Sequence, residues 1–243
     1  MATSGTYAFN PDLSEIIEEA YERAGLELRS GYDLRTARRS LNYLLLEWQN
    51  RGINLWTVEL FATPIQLTKG TATYNIDIDT ISILDLMLRT DDAVTDKQTD
   101  FHLSRISEPT YSNIPNKLSQ GQPLQYMYNR VGIKDHDPTT GVDKLSTITL
   151  WPVPDRDSTY KIYYYRIRRM ADAGSSASNT VDVPDRFIPC LVAGLAYYVA
   201  MKHPESASRV QLLKAAYEEL FDQAAEEDRV KTSARFVPNV MGY

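Results

Sequence analysis

Side chains able to do chemistry are few in this chain and scattered along it. The three histidines, His102, His136 and His203, fall in different segments, none at a metal-ligand spacing from another or from the single cysteine, Cys190. A zinc site needs three or four such groups converging at fixed spacings. There is no Gly-rich phosphate loop and no nucleophile elbow, so the usual sequence signs of nucleotide binding and serine hydrolysis are missing. Asp135, Asp137, Thr139 and Asp143, with Gly141, have the outline of a calcium loop. Thr140, however, stands where that loop requires glycine, and Ser146 where a bidentate glutamate closes the shell. Solvated turn chemistry is the plainer account. Asp77 and Asp79 share one strand face and could hold a cation or act as a carboxylate pair; a strand-end turn is the plainer account. Cys190 lies in an apolar segment and reads as a buried small hydrophobe. No catalytic residue, no metal and no cofactor is expected, and the chain reads as a non-enzyme.

The elements that would carry these residues are of two kinds. Asn10-Pro11-Asp12 opens a helix, with Asn10 able to cap it and Pro11 at the first helical position. Leu13, Ile16, Ile17, Ala20, Tyr21 and Ala24 then recur on one face until Gly25. A second helix is expected from about Asp33 to Arg51, its stripe being Leu34, Ala37, Leu41, Leu44, Leu45 and Trp48, with Gly52 as a left-handed stop. From Leu55 to Met170 the period falls to two. Ile65 and Leu67 lead into a Lys69-Gly70 turn, from which Thr73, Tyr74 and Ile76 return, the pattern of a hairpin. Further strands are predicted at Ile81–Leu88, Leu124–Arg130, Ser146–Trp151 and Tyr160–Arg168, with a short helix in Leu103–Tyr111 and a loop over Asn113–Pro123.

Ala171–Thr180 is small and polar, a flexible link. After it, Val183-Pro184-Asp185 starts a helix that is apolar nearly all round, with Gly194 permitting close approach of a neighbour. His203-Pro204 breaks it, and a last helix presents Val210, Leu213, Ala216, Tyr217, Leu220 and Ala224 inward. The expected fold is therefore α+β. A helical bundle is formed by the N- and C-terminal segments (1–54 and 171–229), an antiparallel β domain (55–170) is inserted between them, and an extended tail (230–243) follows.

Composition narrows the function. The 243 residues, 43% hydrophobic and 24% charged, suffice for one large or two small folded domains. A net charge of -6 lacks the basic footprint of a duplex-gripping protein, so any contact with DNA should be transient and non-specific. The 16 tyrosines suit sheets and wet interfaces. No run approaches about 18 apolar residues and no signal pattern opens the chain, so synthesis in the cytoplasm and no membrane partner are expected.

Three charged or apolar surfaces invite a second reading. Arg35, Arg38 and Arg39 crowd one side of the second helix, as Arg166, Arg168 and Arg169 close the Tyr-rich strand. They are either solvated or a subunit interface facing Glu15, Glu18, Glu19 and Glu22 of a neighbour, where complementary charge sets register. The last helix carries Glu218, Glu219, Asp222, Glu226, Glu227 and Asp228, a solvated face or a wall from which DNA slides. The tail exposes Phe236, Val237, Val240, Met241 and Tyr243, more apolar surface than a free end ordinarily shows, and folding on a partner is expected.

Several of these stretches, in this order, resemble the head-to-tail adaptor (connector) proteins of short-tailed bacteriophages, of the tail-tubular-protein-A and packaged-DNA-stabilising type. They are Leu46-Glu47-Trp48…Gly52, Leu103-Ser-Arg-Ile-Ser…Tyr111…Ile114-Pro-Asn-Lys117…Gly121-Gln-Pro123, Leu150-Trp-Pro-Val-Pro154, and Val183-Pro-Asp-Arg-Phe187…Tyr197. The resemblance implies a structural virion protein at the head-tail junction. It implies a ring of about twelve copies, a dodecamer, beneath the portal protein. The ring would retain packaged DNA, form part of the ejection channel and present a platform to the tail nozzle or tail tube. It further implies that Arg235, Phe236, Val237, Val240, Met241 and Tyr243 reach the portal; the channel-wall reading of the acidic helix, as against a solvated face, would place Glu226, Glu227 and Asp228 on the channel. Two other classes remain open on the residues alone: a phage-associated glycan hydrolase using paired carboxylates, and a carbohydrate- or protein-binding module using the Tyr-rich sheet.

Overall fold

The computed structural model describes residues 5, 11–52, 55–92, 97–131, 145–176 and 178–228. The chain divides into two compact units, one holding the described residues up to Leu55 and from Met170 onward, the other Trp56–Arg169. Asn10, His136, the Asp135–Asp143 stretch and the tail from Arg229 lie outside the described residues.

In the first unit, helix α1 (Leu13–Ala24) starts at Asp12, whose side chain accepts from the Glu15 N–H while the Glu15 carboxylate accepts from the Asp12 N–H. This reciprocal box satisfies two helix-end donors and sets the start at Asp12. Helix α2 (Gly31–Arg51) uses the same device between Ser30 and Asp33, so it begins two residues before the expected Asp33. Gly52, at φ 76°, ends it in the left-handed conformation that glycine adopts without strain. After a short helix in the other unit, α3 (Glu108–Ser112), come α4 (Ile188–Ala200) and α5 (Val210–Glu227). Each of the last two is entered through a 3-10 turn, Asp185–Phe187 and Pro204–Arg209.

Helix α4 packs against α1, α2 and α5. Its all-round apolar surface explains this, since Cys190 to Ala196 are buried without a break. Gly194 makes the approach possible: a methyl group there would stand 2.9 Å from both Leu44 Cδ2 and Tyr217 Cε2. The expected flexible link is instead pinned to these helices. Ala173 is buried and its N–H donates to Asn42 Oδ1 at 3.0 Å, while Asn179 accepts from the Leu13 N–H at 2.9 Å. The small size of these residues lets the backbone approach the helices and be bonded.

The second unit holds two sheets around a shared core that includes Leu86, Leu88, Tyr126, Ile148, Leu150, Ile162 and Tyr164. One sheet runs β1 (Val58–Leu60), β11 (Tyr160–Arg168), β4 (Thr80–Thr90), β5 (Thr99–His102), with β2 (Ile65–Gln66) also on β11. The other runs β3 (Thr73–Asn75), β9 (Thr147–Trp151), β8 (Gln125–Asn129), β6 (Ser104–Ile106). A two-stranded piece joins β7 (Gln120–Gly121) to β10 (Val153–Pro154).

The strand pairing is mostly antiparallel, as expected, but departs from expectation in two places. The Lys69-Gly70 turn forms, with Gly70 at φ 78°, but its arms separate: β2 pairs with β11 and β3 with β9. Pairing is also not wholly antiparallel. Leu103–Tyr111, expected as one helix, splits into β6 and α3, because Ser107 caps a new helix by accepting from the Thr110 N–H. The crossover through α3 is long enough to return the chain parallel, so β6 pairs parallel with β8, as β7 does with β10.

Candidate functional site

The last turn of α2 gathers a set of mutually hydrogen-bonded polar side chains. Residues 47, 48 and 51 are spaced to project from one side of that turn. Trp48 is fully buried, and its indole N–H donates to Tyr217 Oη of α5 at 2.9 Å. Tyr217 Oη donates in turn to Glu47 Oε1 at 3.2 Å, and Tyr198 Oη of α4 donates to Glu47 Oε2 at 2.7 Å. Arg51 donates from Nε to Glu47 Oε1 at 2.9 Å and grips Glu218 of α5 with both terminal nitrogens, at 2.8 and 2.9 Å. Its guanidinium lies 4.3 Å from the centre of the Phe221 ring.

The electrostatics follow from this wiring. Burial pushes the Tyr198 phenol up to about 12, with the Glu47 hydrogen bond adding to it, and raises Tyr217 further still. The Arg51 hydrogen bonds hold Glu218 below the usual carboxylate range. Burial drives the Cys190 thiol up to about 12, the opposite of what an activated nucleophile requires. The arrangement is a clamp joining three helices, with phenol, indole, carboxylate and guanidinium directed at one another.

Other candidates resolve in the same way. Arg166, expected on a solvated or subunit face, is only 7% exposed. It donates to Glu59 Oε1 at 2.8 Å and to Asp77 Oδ1 and Thr80 Oγ1 at 3.0 Å. Asp77 also accepts from the Asp79 N–H at 3.0 Å, so this pair makes a turn and an ion pair. His102 contacts Asp85 at 3.1 Å, and His203 sits edge-on to Tyr21. Among the described residues no three His, Cys, Asp or Glu side chains converge as a metal site would require.

A family model describing the SU10 adaptor protein matches residues 4–241. The chain belongs to the SU10 adaptor protein family. Membership agrees with the head-to-tail adaptor resemblance carried by Leu46-Glu47-Trp48…Gly52, and makes this a phage structural adaptor. No curated protein matches the chain. Among the described residues no helix is long and apolar enough to cross a membrane.

For an SU10-family adaptor the outward faces matter most, and the structure sorts the expected ones. Arg35 and Arg39 are exposed and Arg38 is half-buried with an unpartnered Nε. Glu15, Glu18, Glu19 and Glu22 are all exposed on α1, but Glu15 is committed to the capping box and Glu19 pairs with Arg23 at 2.7 Å. Glu226 and Glu227 are exposed at the end of α5, whereas Asp228 is 4% exposed and pairs with Arg186. That pairing removes Asp228 from a surface wall, because its carboxylate is spent holding the end of α5 to the turn before α4. Arg235 to Tyr243 lie outside the described residues. Sequence reasoning missed the roles of Tyr198, Glu218 and Arg186. Their partners are distant in the chain, and periodicity signals only which face is buried.

Proposed function

We propose that this adaptor forms a ring of about twelve copies between the portal protein and the tail nozzle, retaining packaged DNA and framing its exit. The four long helices act together as the rigid bundle of each subunit, and the inserted β unit serves the tail side. The tail residues Arg235, Phe236, Val237, Val240, Met241 and Tyr243 anchor the subunit to the portal. Family membership supports the reading, and one observation carries it. Glu47, Trp48, Arg51, Tyr217 and Glu218 are spent on one another in a clamp inside the helical unit, while Arg35 and Arg39 stand exposed without a carboxylate partner among the described residues. A subunit built this way is stiff inside and incomplete outside, as a ring component must be, and no step of chemistry is assigned to it.

Mixing the purified protein with its cognate portal and sizing the product tests the proposal. A complex with a ring of adaptor density is expected, and deletion of Arg235–Tyr243 should abolish capture while leaving the helical content unchanged. Full capture without the tail would remove the anchor, and absence of any complex would remove the adaptor reading.

A further inference from the structure

The outer side of α2 is an ordered stripe. Tyr32, Arg35, Arg39, Tyr43 and Leu46 are all exposed, and their spacings of three, four, four and three residues keep them on one line of the helix. Tyr32, Tyr43 and Leu46 are 65, 56 and 53% exposed, an unusual amount of large apolar surface to leave on one helix face. The arginines between them have no carboxylate partner among the described residues. Elsewhere Arg23, Arg51, Arg89 and Arg166 are each seated on one. Lys202 adds to the positive charge, hydrogen-bonding Ser40 Oγ on α2, and its ammonium is held below its usual range by burial first and then by Arg39.

The outer side of α5 carries the complementary stripe. Leu212, Ala215, Glu219, Asp222 and Glu226 are all exposed, at spacings of three, four, three and four. Leu212 is 72% exposed, and the acids occupy only the C-terminal end. Set antiparallel from Leu46 and Leu212, the two series run together: Leu46 meets Leu212, Tyr43 meets Ala215, Arg39 meets Glu219, Arg35 meets Asp222, and the Tyr32 hydroxyl meets Glu226. Each series spans 14 residue steps from first to last, about 21 Å of helix at the usual rise. Set parallel, Leu46 would face Glu226 and the arginines would lose a partner, so the sequence of types selects one direction.

We infer that α2 of one copy packs antiparallel along α5 of the next, apolar end on apolar end and arginines on carboxylates. The inference rests on the adaptor reading and deepens it by naming both sides of the seam. Two different surfaces meet, so the contact is head-to-tail and propagates into a ring when the rotation closes. Helix α1 is the poorer acidic partner. It has 12 residues and shows no large apolar side chain among those exposed, and two of its four glutamates are already engaged. The α5 acids accordingly belong to the subunit seam in place of the channel wall.

Cysteine cross-linking of the full chain tests this, because the native Cys190 is buried and silent. Leu46→Cys protein mixed with Leu212→Cys protein under mild oxidant should form linked dimers at least roughly tenfold faster than Leu46→Cys mixed with Glu18→Cys. Arg39→Glu in the first partner should slow the link, and Glu219→Arg in the second should restore it. Equal rates for the two pairings, or no rescue by the reciprocal swap, overturns the inference. Retardation of duplex DNA by the unaltered protein, lost in an Arg35→Glu/Arg39→Glu variant while cross-linking ignores charge, overturns it in favour of phosphate binding. Capture by a portal is scored separately, so loss of the seam with capture intact removes this inference alone.

Discussion

Trp48 Nε1 donates to Tyr217 Oη at 2.9 Å, joining residues 169 positions apart and locking α2 to α5. Tyr217 is itself 1% exposed and its hydroxyl donates to Glu47, so neither indole nor phenol is left unsatisfied in the interior. The Leu46-Glu47-Trp48…Gly52 element singled out in the sequence is thus explained as part of a structural clamp.

Removing the Tyr217 hydroxyl should orphan the Trp48 indole. Tyr217→Phe is expected to cost about 1–3 kcal/mol, the range for a buried donor left without a partner. Urea unfolding followed by tryptophan fluorescence measures it; an unchanged midpoint would show that the hydroxyl is not holding the indole.

Gly194→Ala tests the close packing of α4. The added methyl would stand 2.9 Å from Leu44 Cδ2 and Tyr217 Cε2, both in packed helices. Overpacking of this kind costs about 1–3 kcal/mol, outweighing the better helix propensity of alanine. A variant as stable as the parent would mean that α2 and α5 yield freely.

Stability should fall at both ends of the pH scale. Glu218, Asp92 and Asp100 have depressed values, held by Arg51, Lys161 and Arg89 respectively. A depressed carboxylate adds stability that is complete above its unfolded value and vanishes as pH falls through the folded one. The acid loss therefore begins near the ordinary 4.5 of glutamate and deepens below the ordinary 3.8 of aspartate. Buried Tyr21 and Tyr164 and half-buried Tyr198, raised by desolvation to about 12, act in the opposite sense. Their contribution is full below the ordinary 10 and is lost as pH climbs from there towards 12. Thermal melts across pH should show a plateau bounded on both sides. Ionisation of these phenols near pH 10 in the folded protein would contradict it.

In the β unit, Arg166→Met should destabilise by about 1.5–3 kcal/mol, the range for hydrogen bonds to charged groups. Glu59 and Asp77 keep enough exposure to rehydrate, at 39 and 35% of their side chains, which holds the cost within that range. Differential calorimetry checks it, and the loss should be smaller in a Glu59→Gln background.

The Cys190 thiol should resist alkylation. It is 1% exposed and its ionisation is pushed to about 12, so the reactive thiolate is scarce at neutral pH. Modification by iodoacetamide, followed by mass spectrometry, should appear only once denaturant unfolds the chain; fast labelling of the native protein would refute the burial.

What the chain determined by itself was local and periodic. Glycines at 25 and 52 stop two helices, apolar residues at helical spacing mark the buried faces of α1 and α2, an unbroken apolar run marks the buried α4, and period-two runs mark β4, β8, β9 and β11. Each depends on neighbours within a turn or two, where residue type alone decides conformation. The tertiary structure decided the pairings. Ile65–Gln66 and Thr73–Asn75 flank one turn yet join different sheets, because β11 and β9 offer them partners that each arm could not offer the other while also filling a core. Arg166 and Asp228 read as surface charges until partners 89 and 42 positions away took them in. Long-range partners carry no periodic signal, since any arginine can satisfy any carboxylate that folding brings within reach. Only the packed chain says which one does.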